Sequence, residues 1–481
     1  FKIMKKLIII TYFLLTSLLL RAQYIVDVLE YVPAPGQFVN TSTAGSPIIS
    51  TNSIMNGLTG CLTLGSFGGY VVFKFENPVE NHPDNPYGVD FTIFGNPNAM
   101  PGTNHALTAE PGIVYVMKDE NANGIPDDTW YELAGSDHFF STTIRNYEVT
   151  YFNPESDVAE DVPWEDNLGN TGHILANFYH NQPYYPMADS FPEIDPNQYT
   201  LRGTLLENRV DMTNPQMVSF MPRTFGYVDN NLRGEEPYGI PDNPYTRERE
   251  NSGGDAFDIS WAIDENNNYV DLDEIDFVKV QSAVLADGGW IGEISTEIAG
   301  AIDIEPDASI NGIESVVVIK DLPKEINTQN YQMEAFVFHQ GRYLKEAEIT
   351  WETSLDNVNI DANNILTFSD YGEVEITAKW KDNPDIYTIV TTKLIKGIGF
   401  DENYLTDLNI YPNPVKNHFY VETDCENLNV EIYDIMGRCT LAKENIDNKS
   451  IIDISELNPG IYFVKIKNDY QNHSIIKIAK I

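Results

Sequence analysis

The sequence is short of cysteine. Only Cys61, Cys425 and Cys439 occur in 481 residues, and none of them shows the paired CxxC spacing of a zinc site. An odd count of three cannot form a disulfide framework, so neither disulfides nor a structural zinc centre can replace a hydrophobic core. Whether Cys425 and Cys439 pair with each other is left open by the sequence.

Basic residues are also scarce. Lys and Arg total 30 against 72 Asp and Glu, which gives a formal net charge of −42 at pH 7. Nucleic-acid binding requires a basic face for the phosphates, so this charge excludes that class of function. An acidic surface keeps a chain soluble through self-repulsion, and it also supplies oxygen ligands for a hard cation such as calcium.

Long apolar runs are missing after the first residues of the chain. Residues 7–20 are mainly apolar, follow three lysines and precede Ala22, which is the pattern of a secretory signal peptide cleaved after that residue. The run is shorter than the ~20 residues that span a bilayer, and no cysteine follows it to direct lipoprotein processing. We therefore expect residues 1–22 to be a signal peptide and the mature protein to be exported.

Patterns of long amphipathic helices are rare, and 27 prolines interrupt most candidates. Short runs rich in Val, Ile, Tyr, Phe and Thr alternate instead with Gly, Pro, Asn and Asp, which predicts an all-β protein. The length exceeds the ~250–300 residues of a single core. We predict a large β-sandwich or jelly-roll domain at 23–308, an immunoglobulin-like β-sandwich at 311–396 and a small C-terminal β-sandwich at 405–481, with a Gly-Ile-Gly linker at 397–399. Residues 23–308 could form one domain or two.

The last segment carries several motif blocks in a fixed order. These blocks are YPNP at 411–414, VEIYD at 430–434, MGR at 436–438, IDIS at 452–455, LNPGIYFVKI at 457–466 and KIAKI at 477–481. Prolines hold the entry strand extended, and Pro-Gly forms a turn before a strand of alternating apolar residues. The segment resembles the type A C-terminal sorting domain of proteins exported by the type IX secretion system of Bacteroidetes. The resemblance implies recognition by that machinery and display on the outer face of the outer membrane.

A second set of blocks is distributed over the first 300 residues. These blocks are YVPAPGQF at 31–38, LGSFGGY at 64–70, DFTIFGN at 90–96, EPGIV at 110–114, GYVDN at 226–230 and GEISTEI at 292–298. Together they resemble a group of Bacteroidetes surface proteins that accompany TonB-dependent uptake systems, some of them for corrinoids. The resemblance implies capture of a ligand at the surface and an outer-membrane uptake receptor as a candidate partner. It supplies no catalytic motif and no ligand identity.

One acidic loop has the spacing of a calcium site. Oxygen-bearing side chains recur at its first, third, fifth and ninth positions, and Gly124 occupies the sixth, where a sharp turn is needed. The twelfth position is Trp130 and not Glu, so a bidentate ligand would have to come from Asp128, Glu132 or elsewhere. The alternative is a polar hairpin loop whose side chains only cap turns. The predicted calcium ligands are Asp119, Asn121, Asn123, the carbonyl of Ile125, and Asp127.

A weaker form of this pattern begins at Asp264. Asn266 and Asn268 follow at the expected spacing, but Tyr269 stands where glycine is expected. Asp255 and Asp258 could complete a calcium site there from a neighbouring strand.

Aromatic residues and amides are concentrated between positions 177 and 186, with Trp164, Tyr227 and Trp290 elsewhere in the same predicted domain. Exposed aromatic faces flanked by amides suit sugars or a flat macrocycle, because the ring faces stack while the amides fix orientation. The alternative is that these aromatics belong to the core. The candidate ligand contacts are Trp164, Phe178, Tyr179, His180, Tyr184 and Tyr185.

Evidence for catalysis is thin. The sequence has no HExxH zinc motif, no GxSxG elbow and no phosphate-binding loop. Glu293 with Glu297, or Asp127 with Asp128, could form the carboxylate pair of a glycoside hydrolase, but chance pairs are common among 72 acidic residues. The main hypothesis is a calcium-stabilised surface protein that captures a glycan or a corrinoid. The alternatives are a surface polysaccharide hydrolase and a structural or adhesion protein.

Overall fold

The structure is a computed structural model. It describes residues 24–481, except for residues 103–105, 215, 234–252, 305–313, 397–407, 424–427, 435–437, 447–448 and 468–472. The predicted signal peptide, the linker at 397–399, the turn at 436–437 and Cys425 lie outside the described residues. Within the described part, no helix is long and apolar enough to cross a membrane.

Strands account for nearly all regular structure in residues 24–304. Alternating apolar side chains and frequent turn residues explain this, because they fit a pleated sheet with one buried face. The described helices here are short: α1 (Ile49–Ser53) and two 3₁₀ turns at Ile259–Trp261 and Gly289–Ile291. In chain order the strands are β1 (Asp27–Val32), β2 (Leu62–Thr63), β3 (Tyr70–Lys74), β4 (Val79–Glu80), β5 (Phe91–Phe94), β6 (Gly112–Met117), β7 (Tyr131–Leu133), β8 (Ile144–Phe152), β9 (Val162–Asp166), β10 (Thr171–Ile174), β11 (Gln198–Leu205), β12 (Val210–Asp211), β13 (Ser219–Phe220), β14 (Asp255–Phe257), β15 (Ala262–Ile263), β16 (Glu274–Ile275), β17 (Phe277–Ser282), β18 (Glu297–Ile298) and β19 (Gly300–Asp303).

A six-stranded antiparallel sheet forms the centre of this region, in the order β1-β3-β17-β6-β7-β15. Val280 of β17 lies opposite Val71 of β3 on one side and Val114 of β6 on the other. All three valines are buried, and they pack with Phe91, Trp261 and other apolar residues in the largest core of the chain. Short apolar runs near residues 70, 112 and 277 therefore build one continuous core.

A second sheet has the order β10-β9-β8-β11. Its long pair β8 and β11 places Val149 opposite Leu201, and both side chains enter a separate core that is rich in tyrosine. Two short ladders lie close to the candidate site described below: β18 with β2, and β14-β5-β19. They matter because they fix the positions of Thr63, Phe94 and Glu297.

The chain divides into two compact units. The first contains Phe1–Asp321, Met333–Trp351 and Thr377–Ile389, and the second contains Leu322–Gln332, Glu352–Ile376 and Val390–Ile481. Within the first unit, Val318 and Phe338 pack against the core of the six-stranded sheet. The strands of residues 314–396 are β20 (Ser315–Ile319), β21 (Glu325–Ile326), β22 (Tyr331–Gln332), β23 (Ala335–His339), β24 (Arg342–Tyr343), β25 (Ile349–Thr353), β26 (Val358–Ile360), β27 (Ile365–Phe368), β28 (Gly372–Trp380) and β29 (Asn383–Leu394).

The last part of the second unit has a core of its own. Its strands form the sheets β30-β31-β34 and β33-β32-β35-β36, around buried residues that include Val430, Ile432 and Val464. The strands are β30 (Asn409–Tyr411), β31 (His418–Glu422), β32 (Leu428–Asp434), β33 (Cys439–Ile446), β34 (Ser450–Asp453), β35 (Gly460–Lys467) and β36 (His473–Lys480). The all-β prediction is confirmed, whereas the three predicted domain boundaries stay predictions.

The YPNP motif has a visible structural role in this last part. The side-chain amide of Asn413 donates to the carbonyl of Lys477 (2.9 Å), and its oxygen accepts from the N–H of Ala479 (3.0 Å). The motif therefore holds the final strand β36 through one backbone carbonyl and one backbone N–H. Loss of the Asn413 side chain would leave those two groups without these partners.

Candidate binding pocket and carboxylate cluster

The acidic loop between β6 and β7 brings its predicted ligands together, and hydrogen bonds within the loop already engage them. Asp119 accepts hydrogen bonds from the N–H groups of Asn123 (3.1 Å) and Gly124 (2.7 Å). Asp127 accepts from the side-chain amides of Asn121 (3.1 Å) and Asn123 (3.1 and 3.2 Å). The loop is exposed and compact, and calcium binding at this loop, with the carbonyl of Ile125 as a further ligand, stays a prediction.

Glu132 cannot complete that loop. Its side chain is buried, with one oxygen 2.7 Å from Nδ1 of His138 and the other accepting from the hydroxyl of Thr204 at 2.7 Å. Alternation along β7 turns it into the interior, away from the loop. Of the two bidentate ligands considered, only Asp128 stays near the loop, where it accepts from the N–H of Glu120 (3.1 Å).

The second predicted calcium loop is a tight turn after β15. Asp264 accepts from the N–H groups of Asn266 and Asn268, each at 2.8 Å. Asp255 and Asp258 are buried and engaged elsewhere: Asp255 accepts from the backbone of residues 230 and 231, and Asp258 caps a 3₁₀ turn. Their proposed contribution to this loop is therefore not seen, and calcium binding by Asp264, Asn266 and Asn268 stays a prediction.

The aromatic candidates divide between surface and core. Phe178 is 90% exposed and Tyr179 is 68% exposed, whereas Tyr184 and Tyr185 are almost fully buried in the core of the second sheet. The expected exposed platform is therefore wrong for Tyr184 and Tyr185, because the segment turns inward after residue 182. Trp164 and His180 are half-buried and line two different cavities.

A cavity of about 540 Å³ contains the strongest concentration of polar groups. Its size falls within the range of about 300–1,000 Å³ that is typical of small-molecule sites. Four aromatic rings, four amide side chains and three carboxylates share its lining. The lining side chains of these classes are Phe38, Tyr179, His180 and Trp290; Gln37, Asn96, Asn98 and Asn177; and Glu110, Glu293 and Glu297.

Hydrogen bonds hold the rim of this cavity in place. Gln37 donates to the carbonyl of Ile291 (2.8 Å) and accepts from the side-chain amide of Asn177 (2.8 Å). The rings of Phe38 and His180 meet edge to face, with centroids 4.7 Å apart. These hydrogen bonds hold the segments near residues 37, 177 and 291 in place, which reduces the conformational entropy that would be lost on ligand binding.

Three carboxylates meet at one end of the cavity. Glu110, Asp229 and Glu297 each place an oxygen within 4.8 Å of the other two. Asp229 is fully buried and accepts from the N–H groups of Asn96 (2.7 Å) and Glu297 (3.0 Å). Glu297 accepts from the hydroxyl of Thr63 at 3.0 Å. Glu110 is only half-buried and accepts from the N–H of Ser295 at 3.2 Å, so this end of the cluster reaches the open cavity.

Glu293 adds a fourth carboxylate to the same cavity. It is 2% exposed, and its Oε1 accepts from the N–H of Gln37 at 2.7 Å. Its Oε2 is buried and has no hydrogen-bond partner. A Cβ at Gly36 would lie 2.4 Å from Oε1 of Glu293, so glycine is needed for this close approach.

Burial raises the pKa of all four carboxyl groups, and the charges of neighbouring carboxylates raise it further for Glu110, Asp229 and Glu293. Burial raises the pKa of Glu293 to about 8 and that of Glu297 to about 7. The pKa values of Glu110 and Asp229 also lie well above their usual range, first because of burial and then because of the charge of Glu297. Among the described residues, no Lys, Arg or His forms an ion pair with any of the four. The cluster therefore lacks a protein counter-charge.

Sequence reasoning missed most of this site. Glu293 and Glu297 were considered only as a hydrolase pair, and Glu110, Asp229 and Gln37 were not considered as site residues. A usable signal was present, because the six blocks of the N-terminal resemblance supply Gln37, Gly65, Asn96, Glu110, Asp229 and Glu293 through Glu297. These blocks meet at one place in the fold.

Two other cavities have less functional chemistry. A groove of about 970 Å³ runs along residues 29–32, 190–202 and the side chains of Tyr70 and Lys279. Its lining is mixed, and it does not gather unpaired polar groups. A small cavity of about 160 Å³ includes Trp164 and His173 and touches Glu293 from the other side.

Comparisons with known proteins identify the end of the chain. Residues 409–480 match the family of secretion system C-terminal sorting domains. A comparison with curated proteins found no match. The expected sorting domain is thereby confirmed, and with it secretion to the cell surface and interaction with the type IX secretion machinery.

Similarity to solved structures is weak. The adhesin InvE of Yersinia pseudotuberculosis is 10% identical over 34% of this chain and 58% of its own length, with a TM-score of 0.13. Protocadherin gamma B7 extracellular domains are 11% identical over 44% and 62%, with a TM-score of 0.15. PorZ, a surface component of the type-IX secretion system of Porphyromonas gingivalis, is 14% identical over 88% and 58%, also with 0.15. This chain thus spans less than two thirds of each of these structures, and no argument is based on them.

Proposed function

We propose that this protein, which is secreted to the cell surface by a C-terminal sorting domain at residues 409–480, captures a glycan in the cavity around Gln37, Tyr179 and Glu293. One observation carries the proposal: a preorganised cavity of about 540 Å³ joins aromatic faces, amides and carboxylates in a single lining. Sugars offer hydroxyl donors around an apolar ring face, and this lining is complementary to both features.

The distribution of polar groups favours a glycan over a corrinoid. Gln37, Glu293 and Glu297 are the buried polar side chains of the lining, whereas Tyr179 and Trp290 are exposed. A carboxyl group accepts hydrogen bonds and, when protonated, also donates one, so these groups suit a ligand that presents several hydroxyl groups. A corrinoid would place a broad macrocycle against a narrow, strongly polar wall.

Binding measurements on the purified full-length chain test the proposal. We expect a glycan from a panel of cell-wall and dietary polysaccharide fragments to bind without being changed, and Tyr179→Ala or Trp290→Ala to weaken it about five- to tenfold, as expected for the loss of about 1–1.5 kcal/mol of ring stacking. Phe178→Ala is the matched control, because Phe178 is exposed beside Tyr179 but does not line the cavity. Equal affinity in all three variants, or binding of cobalamin alone, would contradict capture of a glycan here.

A second candidate function is glycoside hydrolysis. The observation that favours it is that Glu293 and Glu297 line the same cavity and have raised pKa values, of about 8 and about 7 respectively. A protonated carboxylic acid near neutral pH is what a general acid requires, and a second carboxylate is needed to complete the reaction.

Product analysis separates the two functions. Capture predicts that a bound glycan is recovered intact after long incubation, whereas hydrolysis predicts shorter products that disappear with Glu293→Gln. Glu165→Gln, an exposed substitution on β9, serves as the control for nonspecific loss of activity. Turnover that depends on Glu293 would establish the hydrolase in place of the binding protein.

A further inference from the structure

The inner end of the cavity is built in a way that the binding of a glycan alone does not explain. Glu110, Asp229 and Glu297 are brought together by three separate segments, and their oxygens lie within 4.8 Å of one another. Calcium–oxygen bonds measure about 2.4 Å, so oxygens no farther apart than about twice that length can share one calcium ion. The separation of the three carboxylates therefore permits a shared coordination shell.

A second, independent observation comes from Glu293. Its Oε2 is buried without a hydrogen-bond partner, although its Oε1 is held by the backbone of Gln37. An unpaired carboxylate oxygen in the interior costs free energy unless a ligand satisfies it. Glu293, Glu110 and Glu297 all line the same cavity, and the charge of Glu293 contributes to the raised pKa of Glu110, after burial and the charges of Glu297 and Asp229. The unsatisfied oxygen therefore belongs to a carboxyl group that neighbours the cluster.

Among the described residues, no Lys, Arg or His forms an ion pair with the cluster. Arg233 donates to the carbonyls of Leu58 (2.9 Å) and Gly95 (3.3 Å) and not to a carboxylate. Asp255, which is buried near residue 230, is a further carboxyl group and not a cation. The hydrogen bonds that the three cluster carboxylates accept come from hydroxyl and backbone N–H groups.

We propose that Glu110, Asp229 and Glu297 bind a calcium ion at the inner end of the cavity that Glu293 also lines, and that the ion takes its remaining ligands from glycan hydroxyls. An all-oxygen set selects a hard cation, and calcium accepts the irregular geometry that such a set provides better than magnesium does. Glu110 is half-buried, so the ion is open to the cavity on one side. This inference rests on the proposed glycan capture and adds the means by which hydroxyl groups are held.

Calcium binding to the full-length chain, measured by titration calorimetry after chelation and dialysis, tests the metal directly. Because the acidic loop at residues 119–128 could bind calcium as well, every measurement is made in the Asp119→Ala/Asp127→Ala background. We expect Glu110→Gln and Glu297→Gln each to remove one bound ion per chain or to weaken it at least about tenfold. Each amide keeps an acceptor oxygen for Ser295 or Thr63, so folding should be retained, and circular dichroism verifies it.

The matched control is Glu148→Gln, an exposed carboxylate on β8 that is paired only with Arg202. It should leave the number of bound ions unchanged. Unchanged stoichiometry and affinity in both cluster variants, with folding intact, would overturn the calcium site. If Glu110→Gln folds and Glu297→Gln does not, the result for Glu110→Gln decides.

Glycan binding with and without calcium separates this inference from the proposed function. Calcium-dependent glycan binding that is lost in Glu110→Gln supports both. Glycan binding that persists unchanged in chelator overturns the calcium inference and leaves glycan capture standing. A calcium site that responds to the cluster variants, without binding of any glycan, supports the ion and overturns its proposed role as a glycan ligand.

Discussion

Lys279 is a half-buried cation on the central strand β17. Its ammonium group lies 4.3 Å from the ring centroid of Tyr70 and 5.3 Å from that of Tyr115, on the two neighbouring strands. Burial lowers the pKa of Lys279 to about 8, although the charge of Glu30 opposes the shift. The aromatic faces attract the charge but do not replace its lost hydration.

This burial predicts an unusual dependence of stability on pH. The unfolded chain holds the Lys279 proton up to its ordinary pKa of 10.5, so between pH 8 and about 10.5 the unfolded state binds more protons than the folded state. The free energy of unfolding should therefore rise with pH in that window, by up to about 3 kcal/mol relative to Lys279→Met. Urea denaturation of both proteins from pH 7 to pH 10 measures the difference.

The exposed Lys345→Met is the control for that experiment. Its stability should follow the wild type at every pH, because removing an exposed lysine does not change the difference in bound protons between the two states. Parallel pH profiles for the wild type and Lys279→Met would show that the ammonium group of Lys279 stays charged in the folded protein.

The loop between β6 and β7 is the element for which calcium is expected from the sequence. Asp119 and Asp127 collect the polar groups of the loop around them, and a bound cation would remove the repulsion between the two carboxylates. Calcium should raise the stability of the wild type by about 2.7 kcal/mol at a hundredfold excess over Kd. The Asp119→Ala/Asp127→Ala variant should lose this calcium-dependent stabilisation. The shift in melting temperature on adding calcium measures it.

A matched control exists in another turn of similar geometry. Asp361 accepts from the N–H groups of Asn363 (2.8 Å) and Ile365 (2.9 Å), as Asp119 does in its own loop, but it has no calcium spacing. Asp361→Ala should lower the melting temperature equally with and without calcium. If the loop variant behaves in the same way, the loop is a polar turn that binds no ion.

Elements were easier to predict from the sequence than the site was. Strands β3, β6, β8 and β17 coincide with apolar runs visible in the sequence, because alternation and turn residues are local signals. The carboxylate cluster is not local: the N–H of Glu297 donates to the carboxylate of Asp229 across 68 residues. The expected exposure of Tyr184 is wrong for a related reason, because the sequence does not distinguish an aromatic side chain that faces solvent from one that faces a core.

The sorting domain governs the fate of the whole chain. Residues 409–480 match the sorting family and enclose their own buried core, so their removal should leave the rest of the chain folded. Deleting residues 405–481 should leave the protein in the periplasm, as measured by fractionation and by protection from added protease. We also expect the surface form of the wild type to be lighter than the precursor by the mass of this domain.

Glu110→Gln in the full-length chain is the control for export. It alters the cavity and keeps the sorting domain, so its surface fraction should equal that of the wild type. Surface display of the deleted form at the wild-type level would mean that another part of the chain directs export.

The cavity residues are close together in the fold but far apart in the sequence. Gln37 is among the first residues of the folded region and Glu297 is among the last, and the hydrogen bond from Gln37 to Glu293 spans 256 positions. Contacts of such high sequence separation require the closure of long loops and slow the folding of β proteins. The cavity is therefore complete only when the entire N-terminal region has folded, and a ligand that binds there would select the fully folded chain.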